Sequence, residues 1–270
     1  MTLQDLKNSI LQLAIQGKLV EQCVNKGTTE ELYQEICAEK QKLIKEGKIK
    51  KEKKLPEITE DEIPFEIPES WKWVRLGEIV SVCGRKRIPV GQKLQSEPTS
   101  HKYIRVTDMK NGTVLDTDTK YISDEIYEQI KKYTITSADL YITAAGTIGS
   151  VGSIPKSFDG ANLTENADKL VTYSVNNEYL YNCLTSPLVQ EQIKSITTKV
   201  GQPKLAIIRI QKLLVPLPSL AEQKRIVAKI EELLPYCKRL ESITQQPPAQ
   251  SRWVVWTKVQ NKQLKVASSG

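Results

Sequence analysis

The chain has 270 residues, of which 39% are hydrophobic and 26% charged, and its formal net charge at pH 7 is +7. That length allows one sizeable domain with extensions or two small domains, and no apolar run approaches the ~20 residues of a transmembrane helix. Five scattered cysteines, a single histidine and an amino terminus without an apolar signal core argue against a disulfide scaffold, a histidine-based metal site and secretion. We therefore expect a cytoplasmic protein, whose positive charge is compatible with nucleic-acid binding without establishing it.

Two helices are predicted at the start of the chain, over Thr2–Gln16 and Thr28–Glu46. Each begins with a threonine followed three residues later by an acidic residue, which is a capping box, and each is followed by a glycine. The first helix carries apolar residues at steps of three and four. Because so short a helix is unstable alone, we expect this seam to dock on another helix: Leu3, Leu6, Ile10 and Leu13.

A change of charge marks the next segment. Lys48–Lys54 reads KIKKEKK, and residues 55–69 continue as an acidic stretch with three prolines. The basic run is either an arm that contacts a DNA backbone or a solvated linker, and the acidic continuation favours the linker. Since residues before proline avoid the helical conformation, we expect an extended segment that wraps the surface of the next domain.

Short strands, turns and brief helices are predicted from Trp71 to Gln211. Asn111–Gly112 is a hairpin-turn dipeptide. Helices are expected over Asp124–Lys132 and over Glu178–Thr197, the latter broken at Pro187. The pattern indicates a mixed α+β domain without regular β-α-β alternation. β-branched residues mark five strands: Lys102–Val106, Thr113–Ile122, Leu140–Thr143, Val151–Ile154 and Lys169–Val175.

Leu213–Ile243 combines a strand and a helix. The apolar run Leu213–Leu217 is followed by Ser219 and Glu222, which have capping-box spacing. The helix then repeats apolar residues at steps of four and three. This narrow seam is typical of a single partner helix, although an ordinary amphipathic helix stays an alternative on spacing alone: Ile226, Ile230, Leu233, Cys237 and Leu240.

The start of this helix resembles a known family. The stretch PLPSLAEQKRIVAKIEELL, from Pro216, is similar to the beginning of the conserved helix in specificity (S) subunits of type I restriction–modification systems. In that family the helix leads from a DNA target-recognition domain into a long antiparallel coiled coil. Further stretches resemble the same family in the expected order: Leu6–Val20, Trp71–Val80, Tyr103–Val114, Ser137–Gly152 and Val200–Pro218.

The resemblance implies an α+β fold, with one mixed α/β target-recognition domain flanked by coiled-coil-forming helices. Residues 247–270 depart from the family pattern, and Trp253 and Trp256 there need apolar cover. We expect the following division: amino-terminal helices and basic linker at 1–54, an extended linker at 55–70, the recognition domain at 71–211, the conserved helix at 212–246 and an atypical tail at 247–270.

Two loop clusters supply cations and planar polar groups of the kind that meet phosphates and base edges. The first is a basic turn at residues 85–87 with polar residues after it, and the second is the turn KVGQPK at residues 199–204. Either cluster is also explained as a solubilising loop, so it is the resemblance to the family that favours a role in DNA binding. Arg105, Asn162, Thr164 and Asn166 are weaker candidates. The predicted DNA-binding residues are Arg85, Lys86, Arg87, Lys93, Lys102, Arg105, Lys199, Gln202 and Lys204.

By resemblance, the chain is a half-size S subunit that recognises half of a bipartite double-stranded DNA target, pairs with a second copy and binds methyltransferase (M) and restriction (R) subunits. S-adenosylmethionine and ATP are expected on those partners, and neither a cofactor nor a metal on this chain. No phosphate loop or amino-methyltransferase motif occurs, so we expect no catalysis by the chain itself. The alternative is a truncated decoy that binds M subunits without engaging DNA. Salt-dependent DNA binding distinguishes the two.

Overall fold

A computed structural model describes residues 2–22, 27–47, 49, 53–84, 86–197 and 203–245, with side chains in the last helix described through Cys237 and at Arg239. Within these described residues, no helix is both long and apolar enough to cross a bilayer. The described helices are α1 (Leu3–Ile15), α2 (Thr29–Lys45), α3 (Leu76–Ile79), α4 (Asp124–Ile130), α5 (Asn177–Leu184), α6 (Pro187–Ile196), α7 (Ile207–Gln211) and α8 (Leu220–Gln245).

The described strands are β1 (Lys72–Arg75), β2 (Val80–Cys83), β3 (Lys102–Ile104), β4 (Met109–Lys110), β5 (Thr113–Val114), β6 (Lys120–Tyr121), β7 (Thr134–Ile135), β8 (Leu140–Thr143), β9 (Val151–Ser153), β10 (Ala161–Leu163), β11 (Ala167–Thr172) and β12 (Leu214–Leu217).

The two amino-terminal helices begin and end as predicted. In both, the threonine hydroxyl accepts from the backbone of the acidic residue three positions on, and the acidic side chain accepts from the threonine backbone. Gly17 and Gly47 follow with φ of +70° and +69°, which suits glycine at a helix stop. These interactions fix both helix starts without tertiary contacts, which is why sequence alone located them.

The face by which α1 joins the core differs from the predicted seam. Leu11, Ala14 and Ile15 are buried, whereas Leu13 is 42% exposed, and Leu3 and Leu6 are half-buried. The helix packs on α8, α5 and α6 within one chain. These three neighbouring helices determine which face of α1 is buried. The predicted seam assumed a single partner helix, so it identified a different face.

Two four-stranded sheets form the centre of the domain, in the orders β6-β3-β10-β7 and β2-β11-β8-β9. β10 pairs with β3 in parallel, and the other described pairs of these sheets are antiparallel. An apolar cluster that includes Tyr141, Phe158 and Leu163 lies between the sheets. A larger cluster joins the second sheet to the helices. The expected strands at β3, β8, β9 and β11 are therefore confirmed.

The expected single strand over Thr113–Ile122 is wrong. β5 closes a two-residue hairpin with β4, with Asn111 and Gly112 at φ of 54° and 74°, and β6 pairs with β3 instead. The loop between β5 and β6 turns its carboxylates toward cations. Asp116 approaches Lys102, and Asp118 approaches Lys120. A loop that carries these ion pairs thus separates the two short strands where one strand was predicted.

We call residues 71–211, where the recognition domain is expected, the recognition segment, and its two ends meet at Arg75. β1 pairs antiparallel with β12, with Arg75 opposite Leu214, so the boundary expected at residue 211 separates strands that lie side by side. The Arg75 side chain is 5% exposed and donates to the carbonyls of Pro56, Glu57 and Lys212 and, at 2.6 Å, to Glu62. One guanidinium thus holds the acidic linker and the segment before β12 against β1.

The motif that carries the family resemblance makes buried hydrogen bonds around Gln223, which we call the Gln223 latch. The Gln223 amide donates to the Pro218 carbonyl at 3.0 Å and accepts from the Asn176 backbone at 2.9 Å. Tyr179 donates its hydroxyl to the Pro216 carbonyl at 2.7 Å. The start of α8 is therefore fixed to α5, and α8 continues as one helix past Pro235.

Arg75 gives the first testable prediction. Arg75→Ala leaves four acceptors without their donor, so we expect it to lower the free energy of unfolding by about 2–4 kcal/mol. Lys54→Ala is the control, because its ion pair with Glu57 is 86% and 87% exposed and should contribute less than ~1 kcal/mol. Denaturant unfolding of both variants measures the difference, and equal stability would show that Arg75 does not hold the linker.

Glu62 gives a prediction about acid. The hydrogen bond from Arg75, followed by that from the Thr59 backbone, lowers the pKa of Glu62 from 4.5 to about 2. Because the folded pKa lies below the unfolded one, the stabilisation is complete above pH 4.5 and disappears as pH falls towards 2. We therefore expect Glu62→Gln to lose less stability than the parent between pH 5 and about 2.5. Parallel slopes in denaturant unfolding across that range would contradict this.

Candidate nucleic-acid interface

Backbone hydrogen bonds join four loops that lie far apart in the sequence. The Leu205 amide donates to the Ala144 carbonyl at 3.0 Å, and the Ala144 amide donates to the Asn166 carbonyl at 2.8 Å. The Thr164 amide donates to the Ile104 carbonyl at 3.0 Å. The segment before α7, the β8–β9 turn, the β10–β11 turn and the end of β3 are therefore fixed to one another.

These loops enclose a cleft, which we call the loop cleft. Its inner part joins Arg87 from the first predicted cluster to Lys204 from the second. Its outer part extends over the loop after β2, where Val90 is fully exposed. Two clusters that the sequence presented separately thus face one space. The inner part is lined by Arg87, Val106, Ala145, Gly146, Glu165, Asn166 and Lys204.

An ion pair crosses the loop cleft. Arg87 Nε donates to Glu165 Oε1 at 3.0 Å, and the side chains are 76% and 27% exposed. The Thr164 and Tyr103 hydroxyls donate to Glu165 Oε2 at 3.3 and 3.5 Å. Burial raises the pKa of Glu165, but its hydrogen bonds, that from Arg87 foremost, outweigh this and hold the pKa below its usual value. The carboxylate is therefore ionised at neutral pH and acts only as an acceptor.

Besides Arg87, two more of the predicted cations are engaged by carboxylates. Arg105 donates to both oxygens of Asp108, at 3.0 and 2.6 Å, and to Asp118 at 3.1 Å. Lys102 lies 3.5 Å from Asp116 and above the ring of Phe158. Either cation would have to exchange these partners for a phosphate, and their role in DNA binding stays a prediction.

The other predicted cations differ in setting. Lys86 donates to the Gln129 carbonyl at 3.4 Å, and Lys93 is exposed on the loop after β2. Both can be reached from the solvent. Arg85, Lys199 and Gln202 lie outside the described residues, as do most of the KIKKEKK run and residues 246–270.

The weaker candidates for DNA contact lie in different environments. Thr164 and Asn166 line the loop cleft, but Asn162 is fully buried and its amide donates to the Ile130 carbonyl at 2.9 Å. Asn162 cannot contact DNA in this structure, because its position in β10 directs it into the core. Sequence reasoning missed Glu165, since a carboxylate is not sought in a basic site. The position of Glu165 in the sequence, between the candidates Thr164 and Asn166, could have indicated its place in the site.

The predicted interface residues of α8 are partly covered within one chain. Ile226 and Ile230 are buried in the cluster that contains the α1 residues Leu11 and Ile15. Cys237 is also buried, and Leu233 is half-buried. Tyr236 is 59% exposed, while the Leu240 side chain lies outside the description. Among the described seam residues only Leu233 is partly exposed, and the exposed Tyr236 lies outside the predicted seam.

Among the described residues, no group of three or more His, Cys, Asp or Glu side chains is arranged to hold a metal ion.

Comparison with known proteins identifies the family. The family described as Type I restriction modification DNA specificity domain matches residues 68–246. The chain belongs to this family. The match begins just before β1 and ends just after α8, so it contains the recognition segment, the loop cleft and the Gln223 latch.

Relatives in this specificity-domain family are longer than the chain. The specificity subunit of the type I restriction enzyme EcoAI from Escherichia coli is 33% identical over 247 residues, which are 88% of this chain and 41% of the relative. The EcoEI specificity subunit from the same organism is 27% identical over 248 residues, with the same coverage. The chain thus spans about two fifths of the length of these relatives.

Solved structures share the fold. One chain, from a study of complex assembly and conformational transition in the type I R-M system, has a TM-score of 0.53 at 17% identity and covers 98% of this chain and 55% of its own. The HsdS subunit from Thermoanaerobacter tengcongensis has a TM-score of 0.50 at 20% identity, covering 88% and 49%. The α+β fold of a specificity subunit is therefore confirmed.

The loop clusters give a prediction about binding. Replacing Arg85, Lys86 and Arg87 together with alanine should weaken DNA binding and flatten its salt dependence by up to about three units, because fewer phosphate counterions are released. Gln202→Ala should instead change sequence preference, by about 1–3 kcal/mol if the amide makes a bidentate base contact. Fluorescence anisotropy across a salt series measures both.

A charge-matched control removes three exposed lysines from the helices, Lys42, Lys45 and Lys224, none of which lines the loop cleft. If this control flattens the salt slope as much as the loop variant does, or if both variants bind like the parent, the DNA-binding site lies elsewhere in the domain.

Proposed function

We propose that the chain is the DNA sequence-recognition subunit, or part of that subunit, of a type I restriction–modification complex. Its recognition domain, residues 71–211, would read one half of a bipartite target, and its helices would dock methyltransferase subunits. The family match over residues 68–246 supports the DNA role. The observation that carries the proposal is the loop cleft, in which Arg87 and Lys204, from separate loops, face one space beside Asn166.

The chemistry of this cleft suits recognition. Arginine and lysine neutralise phosphates, and guanidinium and amide groups match the donor and acceptor patterns of base edges. Backbone hydrogen bonds fix the segments that carry Lys204 and Asn166 to one another, which limits the ordering cost on binding. The alternative of a decoy that no longer engages DNA gains no support from a family whose description names DNA specificity.

We propose that catalysis resides on partner subunits. Methyltransferase subunits would bind S-adenosylmethionine, a restriction subunit would hydrolyse ATP, and this chain would supply neither cofactor site nor catalytic residue. The names of the relatives, which are specificity subunits of restriction enzymes, support this division of labour.

We propose further that a second copy of the chain supplies the second recognition domain. The second half of α8, with Tyr236 exposed and Leu233 half-buried, is the surface that supports this pairing. A twofold interface uses the same patch on both chains. Two identical domains would then read two identical half-sites in inverted orientation.

The test is to co-express the chain with the methyltransferase subunits of its host and to sequence the methylated sites in the genome. We expect methylation at an interrupted palindrome, dependent on this gene, and no methyl transfer by the purified chain alone. Light scattering on the free chain and on the complex reports the number of copies.

Contrary results separate the parts of the proposal. Methylation that does not depend on this gene would overturn the recognition role, and methyl transfer by the chain without partners would overturn its non-catalytic role. An asymmetric bipartite motif, or a complex with a single copy, would show that another chain supplies the second half-site.

A further inference from the structure

The Arg87–Glu165 ion pair does not use the two terminal nitrogens of the arginine side chain. Among the described residues, Glu165 is the only hydrogen-bond partner of the Arg87 side chain, and it contacts Nε. The two terminal nitrogens, which form the planar fork of a guanidinium, therefore remain available at the surface. A carboxylate that holds Nε also restricts the orientation of that fork.

Glu165 is built into the fold rather than attached to a mobile loop. It lies in the three-residue turn between β10 and β11, whose neighbours Thr164 and Asn166 are bonded to Ile104 and Ala144. The Thr164 and Tyr103 hydroxyls bind Oε2, which leaves Oε1, the oxygen bound to Arg87, with a second lone pair. That atom can accept one more donor at the wall of the cleft.

One base pair offers the complementary pattern. In the major groove a G·C pair presents two neighbouring acceptors, guanine N7 and O6, followed by the donor N4 amino group of cytosine. An A·T pair presents adenine N7, then a donor, then thymine O4, so the two acceptors are not adjacent and cannot both receive one guanidinium fork. The order acceptor, acceptor, donor fits an arginine fork beside a carboxylate.

We propose that Arg87 and Glu165 read one G·C base pair as a unit, with Arg87 donating to guanine O6 and N7 and Glu165 accepting from the N4 amino group of cytosine. This inference rests on the proposed function, because it requires that the loop cleft bind duplex DNA. It adds a specificity-determining carboxylate and names the base pair.

The carboxylate also has an electrostatic effect that is separable from base reading. A negative charge in a basic cleft repels phosphates, so Glu165→Gln should bind unrelated DNA somewhat more tightly while discriminating less well at one position. Glu97→Gln removes the same charge from an exposed residue that does not line the cleft. That control should leave the sequence preference unchanged.

The experiment selects duplexes from a randomised library with the full chain, and then measures affinities for duplexes that differ at single positions. In the parent, we expect one G·C pair at which any other pair lowers affinity about tenfold. Arg87→Ala and Glu165→Gln should both lose that preference, at the same position. Substituting 7-deazaguanine, which lacks N7, in that position should weaken the parent and not Arg87→Ala.

The 7-deazaguanine arm tests the parent protein and does not depend on a variant folding correctly. The inference is overturned if the two variants affect different positions, if the affected pair is A·T, or if Glu97→Gln has the same effect on preference as Glu165→Gln. If the parent selects no motif at all, the proposed function fails and this inference with it. A motif that both variants leave intact refutes the inference alone.

Discussion

One buried guanidinium organises the way the recognition segment is held. Arg75 donates to two carbonyls of the acidic linker, to Glu62 and to the carbonyl of Lys212, so it joins three chain segments at the edge of the β1–β12 pair. A charge that is 5% exposed is tolerable only when its donors are satisfied. The linker is therefore held to one path across the domain, and the segment that enters β12 is held beside it. The Gln223 latch then fixes α8, against which α1 packs.

The loop cleft depends on a different class of interaction. Backbone hydrogen bonds join Leu205 to Ala144, Ala144 to Asn166, and Thr164 to Ile104. They align loops that lie far apart in the chain. Because these bonds use main-chain atoms, they place few demands on the side chains around them. The cleft can therefore present cations and a carboxylate together without altering the two sheets beneath it. The frame of the cleft is thus fixed separately from the side chains that line it.

Features that depend on contacts between residues close in the sequence could be predicted from the sequence. Features that depend on contacts between distant residues could not. The starts of α1 and α2 and the turn at Asn111–Gly112 depend on contacts within a few residues, and the sequence located all of them. The resemblance at Pro216–Val227 succeeded for another reason, since Gln223 and its neighbours carry specific buried bonds. The buried face of α1, the break in Thr113–Ile122 and the burial of Asn162 depend on partners distant in sequence. So does the meeting of Arg87 with Glu165, 78 residues away.

The antiparallel pairing of β1 with β12 has a consequence for how such domains change over time. Arg75 and Leu214 are opposite residues in that ladder, so the chain enters and leaves the recognition segment at points whose Cα atoms are ~5 Å apart. A segment with adjacent ends can be exchanged for another of different length and loop sequence, provided that its ends form the same ladder. The helices outside the ladder would keep their geometry through such an exchange. Replacing the segment between the two strands thus leaves the rest of the chain unchanged, provided that the ladder between β1 and β12 is kept.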